Sequence, residues 1–225
     1  MTDWTAYQTH FRRTLATAEP DIRREMERLG MAPFASDPDT TLRPADLMVV
    51  SMKPFGVPDR AYPCGWEERK QRPGLHRWYD GPQAQGNFVR EADQLVNLLT
   101  ERMALDLRPR QIFNTYAYFY RARDAAQLKR FGLDRIDCSE FHRSFLETVS
   151  PRVVCCIGNG PAPSAFHLYR ELFGSPETVQ LACAPRTYIK YARPAGGPLV
   201  IGLPHLSYAR TASFADQLAD LITHP

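Results

Sequence analysis

Val153-Val-Cys-Cys-Ile157 is an uninterrupted apolar run bounded by Pro151 on one side and Gly158-Asn-Gly-Pro161 on the other. A strand with no polar position buries both faces, as the central strands of parallel sheets do. Three further short runs, Leu47-Met-Val-Val-Ser51, Gln111-Ile-Phe-Asn-Thr-Tyr116 and Leu199-Val-Ile-Gly-Leu203, are spread along the chain. Segments of helical period stand between them. Alternation of this kind specifies a parallel sheet covered on both faces. The expected fold is therefore α/β, a three-layer α/β/α sandwich with a central, mainly parallel four-stranded sheet.

The helical segments are read from apolar spacing and end signals. Trp4, Tyr7, Phe11 and Leu15 share one face, and Pro20 opens a second helix that ends at Gly30. Residues 33–44 form a polar connector. Phe88 to Met103 carries Ala92, Leu95, Val96 and Leu99 on one face, with Asn87 available as its cap. Asp137-Cys-Ser-Glu140 has capping-box form ahead of Phe141, Phe145 and Val149. Helices over about 163–173 and 211–223 complete the set, and Thr187 to Ala192 is extended. Between the first strand and Asn87 lies a long segment rich in Pro, Gly and aromatics, including Tyr62, Trp66, Trp78 and Tyr79. Long loops of this composition in compact domains carry function.

With 225 residues, 44% of them hydrophobic, the chain supplies one well-buried core, so a single domain over 1–225 is expected, with the N-terminal helices of about 1–30 packed on it. A net charge of +3 permits a polyanionic partner without requiring one. No charged leader precedes an apolar core, and no apolar run is long enough to cross a bilayer, so a cytoplasmic protein with no membrane partner is expected. Five cysteines without a C-x-x-C pair read as reduced, buried thiols and argue against zinc and iron-sulfur sites. No metal or cofactor is expected, and a monomer is.

Each strand runs into polar or glycine-rich sequence: Ser51-Met-Lys-Pro-Phe55, Asn114-Thr-Tyr116, Gly158-Asn-Gly160 and Pro204-His-Leu-Ser207. In a parallel sheet these ends open onto one edge, where ligands collect. His205 alone reads as an ordinary loop histidine. The chemistry at the other three ends makes it a site residue.

Together the four elements resemble the uracil-DNA glycosylase superfamily, from about Asp46 to Ile222. That family's first motif lies at the end of the first strand, where this chain has Ser51-Met-Lys-Pro-Phe55. Its second element is a strand ending in an asparagine, to which Ile112-Phe-Asn114 is similar. Its third is a strand and glycine turn near phosphate, resembled by Cys155-Cys-Ile-Gly-Asn-Gly160. Its last is His-Pro-Ser-Pro, of which His205-Leu-Ser-Tyr208 keeps the histidine and serine and loses both prolines. The resemblance implies base-excision repair of DNA by hydrolysis of the N-glycosidic bond of uracil, flipped into a strand-end pocket.

On that resemblance, His205 donates to the departing uracil anion and Asn114 reads the uracil edge, while Met52, Phe55 and Trp66 are placed to contact or stack on the base. Lys53 replaces the Asp or Asn that positions water in the family. Asp59, Asp80 and Asp124 are candidate substitutes, and a Schiff base at Lys53 is a further alternative. Gly158, Asn159, Ser164 and Ser207 would meet phosphate, and Tyr208 and Arg210 lie where the family fills the hole left by the flipped base. Arg69, Lys70, Arg72 and Arg77 extend the phosphate footprint. Two other functions fit the same residues: a relative that binds nucleic acid or damaged bases without cleavage, and a small-molecule nucleoside hydrolase.

Overall fold

The structure, a computed structural model, describes residues 2–56, 60–80 and 85–223, with the Trp78 side chain excepted. It is an α/β domain around a six-stranded sheet. The helices α1 (Thr5–Thr17), α2 (Pro20–Leu29) and α3 (Pro38–Thr41) precede β1 (Leu47–Ser51). Then come α4 (Gly65–Gln71), α5 (Arg77–Asp80), α6 (Asn87–Arg102) and β2 (Phe113–Tyr116), followed by α7 (Ala125–Arg130), α8 (Ser139–Val149), β3 (Val153–Ile157) and α9 (Ala165–Leu172). The chain closes with β4 (Val179–Ala184), β5 (Thr187–Ala192), β6 (Leu199–Leu203) and α10 (Ala215–Thr223).

The strand order is β2-β1-β3-β6-β5-β4. The four expected strands pair in parallel, while β5 runs antiparallel to β6 and β4 antiparallel to β5. The expectation of four strands is therefore corrected to six. Val179 to Ala184 is an edge strand with no buried residue, and its Ala182, Cys183 and Ala184 are small side chains that mark a strand only weakly.

Both faces of β1, β3 and β6 are buried, which explains why Ser51 at the end of β1 is the one polar position in these three strands. Met48, Val50, Val154, Cys156 and Val200 pack on one face against α1, α8 and α9. Leu47, Val49, Cys155, Ile201 and Leu203 pack on the other against α6 and α10. Gly202 belongs to the first interface, since a Cβ there would come within 2.6 Å of the Phe166 ring of α9. Glycine is what lets that helix lie so close to β6.

Local details depart from the sequence reading. Residues 33–44 are less a connector than a cover for the β2 edge: the amides of Ala35 and Ser36 both donate to the Asn114 carbonyl, and the Tyr116 amide donates to that of Pro33. Gly86, not Asn87, stands at the N-cap of α6. Asp137 accepts from the Ser139 amide at 2.9 Å, capping α8 from one position earlier than a box would.

Candidate active site

The parallel strands end in one row. Ser51 is in register with Tyr116 on one side and Ile157 on the other, and Ile157 with Leu203. From β1 the chain leads to β2 on one side, and from β3 it leads to β4, β5 and β6 on the other, so a topological switch point lies between the adjacent ends of β1 and β3, where a crevice forms. A cleft of about 1060 Å³ opens there, lined by Ser51, Met52, Lys53, Phe55, Tyr116, Ile157, His205 and others. A second hollow of about 590 Å³ adjoins it, shares Met52 and His205, and is walled by Gly158–Ser164, Lys129 and Arg186.

His205 follows β6 by two residues. The Ser207 amide donates to its Nδ1 at 3.2 Å, so the neutral ring carries its proton on Nε2. His205 is exposed at the cleft mouth; partial desolvation lowers the imidazole pKa and the Lys53 ammonium lowers it further, both favouring the neutral ring. Its loop is anchored from behind by Glu91 of α6, buried, whose carboxylate accepts from the Thr211 amide at 2.8 Å.

Lys53 is held by the segment that leaves β2. The amides of Ala117 and Tyr118 donate to the carbonyls of Ser51 and Met52, extending the pairing past the strand ends. The ammonium donates to the carbonyls of Ala122 and Arg123. Burial pushes its pKa down to about 8, against the opposing pull of Asp124.

The inner wall is an ion cluster that sequence reasoning did not assemble. Glu68 of α4 pairs with Arg77 and accepts from Nη2 of Arg121 at 2.8 Å. Arg121 is only 1% exposed and lies over the Tyr62 ring. Its sequence signal is an arginine within the aromatic run Tyr116-Ala-Tyr-Phe-Tyr-Arg-Ala122, where burial requires partners. Among the described residues lining the cleft, six cations (Lys53, Arg60, Arg72, Arg77, Arg121, Arg123) face three carboxylates (Glu68, Asp80, Asp124). The cleft is suited to an anion.

Of the expected site residues, Lys53, Met52, Phe55, Ser207, Tyr208 and His205 line the cleft, and Gly158, Asn159 and Ser164 the adjoining hollow. Phe55 is 42% and Tyr208 93% exposed, so both rings are available at the mouth. Asn114 does not line it. It pairs with Val49, two residues before the strand end, and Tyr116 holds the terminal position on the same side of the strand. Trp66 is a core residue against Trp4 and Phe11, not a stacking platform. Arg210 lines neither hollow.

Several phosphate candidates are already engaged. The Ser164 hydroxyl accepts from the His167 amide as the α9 cap, and the Asn159 amide donates to the Tyr188 carbonyl at 2.7 Å. Gly158 gives its N–H to the Leu203 carbonyl, and at φ 123° it occupies backbone space suited to glycine. Arg69 is paired with Asp37, and Arg77 with Glu68 and the Phe34 carbonyl. The proposed carboxylates are also committed. Asp80 accepts from the His76 amide, and Asp124 caps α7; Asp59 lies outside the described residues.

No family model matches the chain, and no protein of curated function matches it in sequence.

Proposed function

We propose that this protein is a uracil-DNA glycosylase, a three-layer α/β/α domain of the uracil-DNA glycosylase kind that flips uracil into the strand-end cleft and hydrolyses its N-glycosidic bond. The observation that carries the reading is the donor geometry of His205. Its Nδ1 accepts from the Ser207 amide, leaving Nε2–H as a donor at the cleft it lines. As the bond between the sugar C1′ and uracil N1 breaks, its electron pair moves onto the base. A fixed neutral donor stabilises that anion without reorganisation. The Lys53 ammonium and the cationic excess of the cleft act in the same sense. Water then adds to C1′ and releases its proton to solvent. Phe55 is the stacking ring in this reading, and Tyr208 the side chain that enters the vacated duplex position.

One observation favours a second reading, binding without cleavage. Each carboxylate among the described cleft residues is already occupied: Glu68 by two guanidiniums, Asp80 and Asp124 by backbone amides. Every oxygen of the three has a protein partner, so none is dedicated to orienting water. In the glycosylase reading, leaving-group stabilisation therefore carries the reaction.

The two readings separate in one assay. The protein is incubated with a labelled oligonucleotide containing a single uracil, then treated with or without alkali. Alkali-dependent breaks at the uracil support the glycosylase, and breaks without alkali add a Schiff base at Lys53. Retention of the oligonucleotide with no breaks leaves the binding reading in its place.

A further inference from the structure

The mechanism gives Arg121 no contact beyond its share in the cationic excess of the cleft, although it is the largest fully buried side chain there. Its Nη2 reaches Glu68, while Nε and Nη1 are buried and meet no hydrogen-bond acceptor among the described residues. Two buried guanidinium donors without acceptors are costly, and such groups in native proteins have a reason to persist. The charge is also unbalanced. Arg77 and Arg121 share Glu68 alone, so two guanidiniums meet one carboxylate. The other two cleft carboxylates turn to their own backbone partners. Tyr116, its hydroxyl kept neutral by burial, lines the same wall within electrostatic reach of both arginines.

We propose that this inner wall is a phosphate-binding subsite centred on Arg121, so that the cleft recognises a nucleotide rather than a bare base or nucleoside. A guanidinium matches phosphate oxygens in shape and charge, and one added negative charge would complete the cluster. The volume agrees. At about 1060 Å³ the cleft is at the upper end of what encloses a whole small-molecule ligand. Glycosidic cleavage itself needs no such anion, so the subsite stands or falls independently of uracil excision. The phosphate has two sources with the same chemistry, the monoester of a mononucleotide or a phosphodiester within a strand.

Calorimetric titration of the full chain at low salt tests this with inorganic phosphate, deoxyuridine, deoxyuridine monophosphate and a short single-stranded oligonucleotide containing uracil. The monophosphate should bind at least about tenfold more tightly than deoxyuridine, the advantage of a charge-assisted hydrogen bond, and inorganic phosphate should compete with it. Arg121→Gln should erase that advantage and leave deoxyuridine binding in place. Glu68→Gln, which removes the compensating carboxylate, should tighten monophosphate binding several-fold. Phosphate competition against the oligonucleotide that depends on Arg121 assigns the strand phosphodiester. Competition against the mononucleotide alone assigns the monoester. Equal affinity for deoxyuridine and its monophosphate, with oligonucleotide binding indifferent to phosphate, overturns the proposal, as does an unchanged advantage in folded Arg121→Gln. Should that variant fail to fold, Glu68→Gln decides: unchanged or weaker monophosphate binding overturns it.

Discussion

The Ser207 amide donates to Nδ1 of His205 at 3.2 Å, within a turn whose Tyr208 and Ala209 amides return to the His205 carbonyl. A main-chain donor thus selects the tautomer, whatever side chain position 207 carries. Ser207→Ala should excise uracil at close to the parent rate. Ser207→Pro, which deletes the N–H, should lose about tenfold or more in the chemical step. Single-turnover kinetics on both variants checks this. Equal rates would mean that the tautomer is not set by this bond.

Lys53 gives an alkaline limb. Its amine, pushed down to about 8 by burial, loses its charge just above neutral pH, and the cleft loses a positive group that the proposed reaction sets beside the leaving base. The excision rate should decline above pH about 8. Lys53→Arg keeps the charge and should move the decline to higher pH. A rate flat between about pH 7 and about pH 10 would show that the ammonium takes no part.

Asn114 reports on the distance between motif and site. Its Nδ2 and Oδ1 are buried without hydrogen-bond partners. Asn114→Leu, similar in volume and free of that desolvation cost, should leave the protein equally stable or raise its stability by about 1 kcal/mol in urea unfolding. A loss of more than about 1 kcal/mol would mean that the amide is satisfied in solution.

The acid limit of stability should be set in part by His142. It is fully buried, with Nε2 against the Ala117 carbonyl and Nδ1 against the Tyr169 hydroxyl, each at 3.0 Å. Burial pushes its pKa down to about 4. The unfolded chain takes up this proton near pH 6.5 and the folded chain only near pH 4, so more protons are bound unfolded between those values. Unfolding free energy should fall as pH drops through that window, by up to about 3 kcal/mol from this residue. Urea unfolding across that range checks it. His142→Gln should flatten the slope, and an unchanged slope would assign the acid sensitivity elsewhere.

These residues also mark what could be read from the sequence. Strands β3 and β6 were legible because both of their faces are buried, so their apolar runs are unbroken, and β1 breaks its run only at Ser51, whereas β2 buries the polar Asn114 and Thr115 and offers a weaker pattern. The extended segment Thr187–Ala192 is β5, but its hairpin partner was not legible, because Val179–Ala184 is an edge strand with no buried residue. At the site, Lys53 and His205 were found because they stand just past apolar runs, and the shared register of Ser51, Tyr116, Ile157 and Leu203 brings those positions to one edge. Asn114 was set at the cleft by motif order, whereas β2 continues to Tyr116. The Glu68–Arg77–Arg121 cluster unites three distant segments. Pairing over such separations leaves no local pattern, and only the aromatic setting of Arg121 marked its burial.

The single-turnover rate of His205→Ala on uracil-containing DNA tests the central claim most directly. The parent protein should release uracil and the variant should do so about a hundredfold or more slowly, while binding the same DNA nearly as well, because the donor acts on charge that exists only in the transition state. A variant rate within about threefold of the parent, or a parent that binds uracil-containing DNA and releases no base, would contradict it.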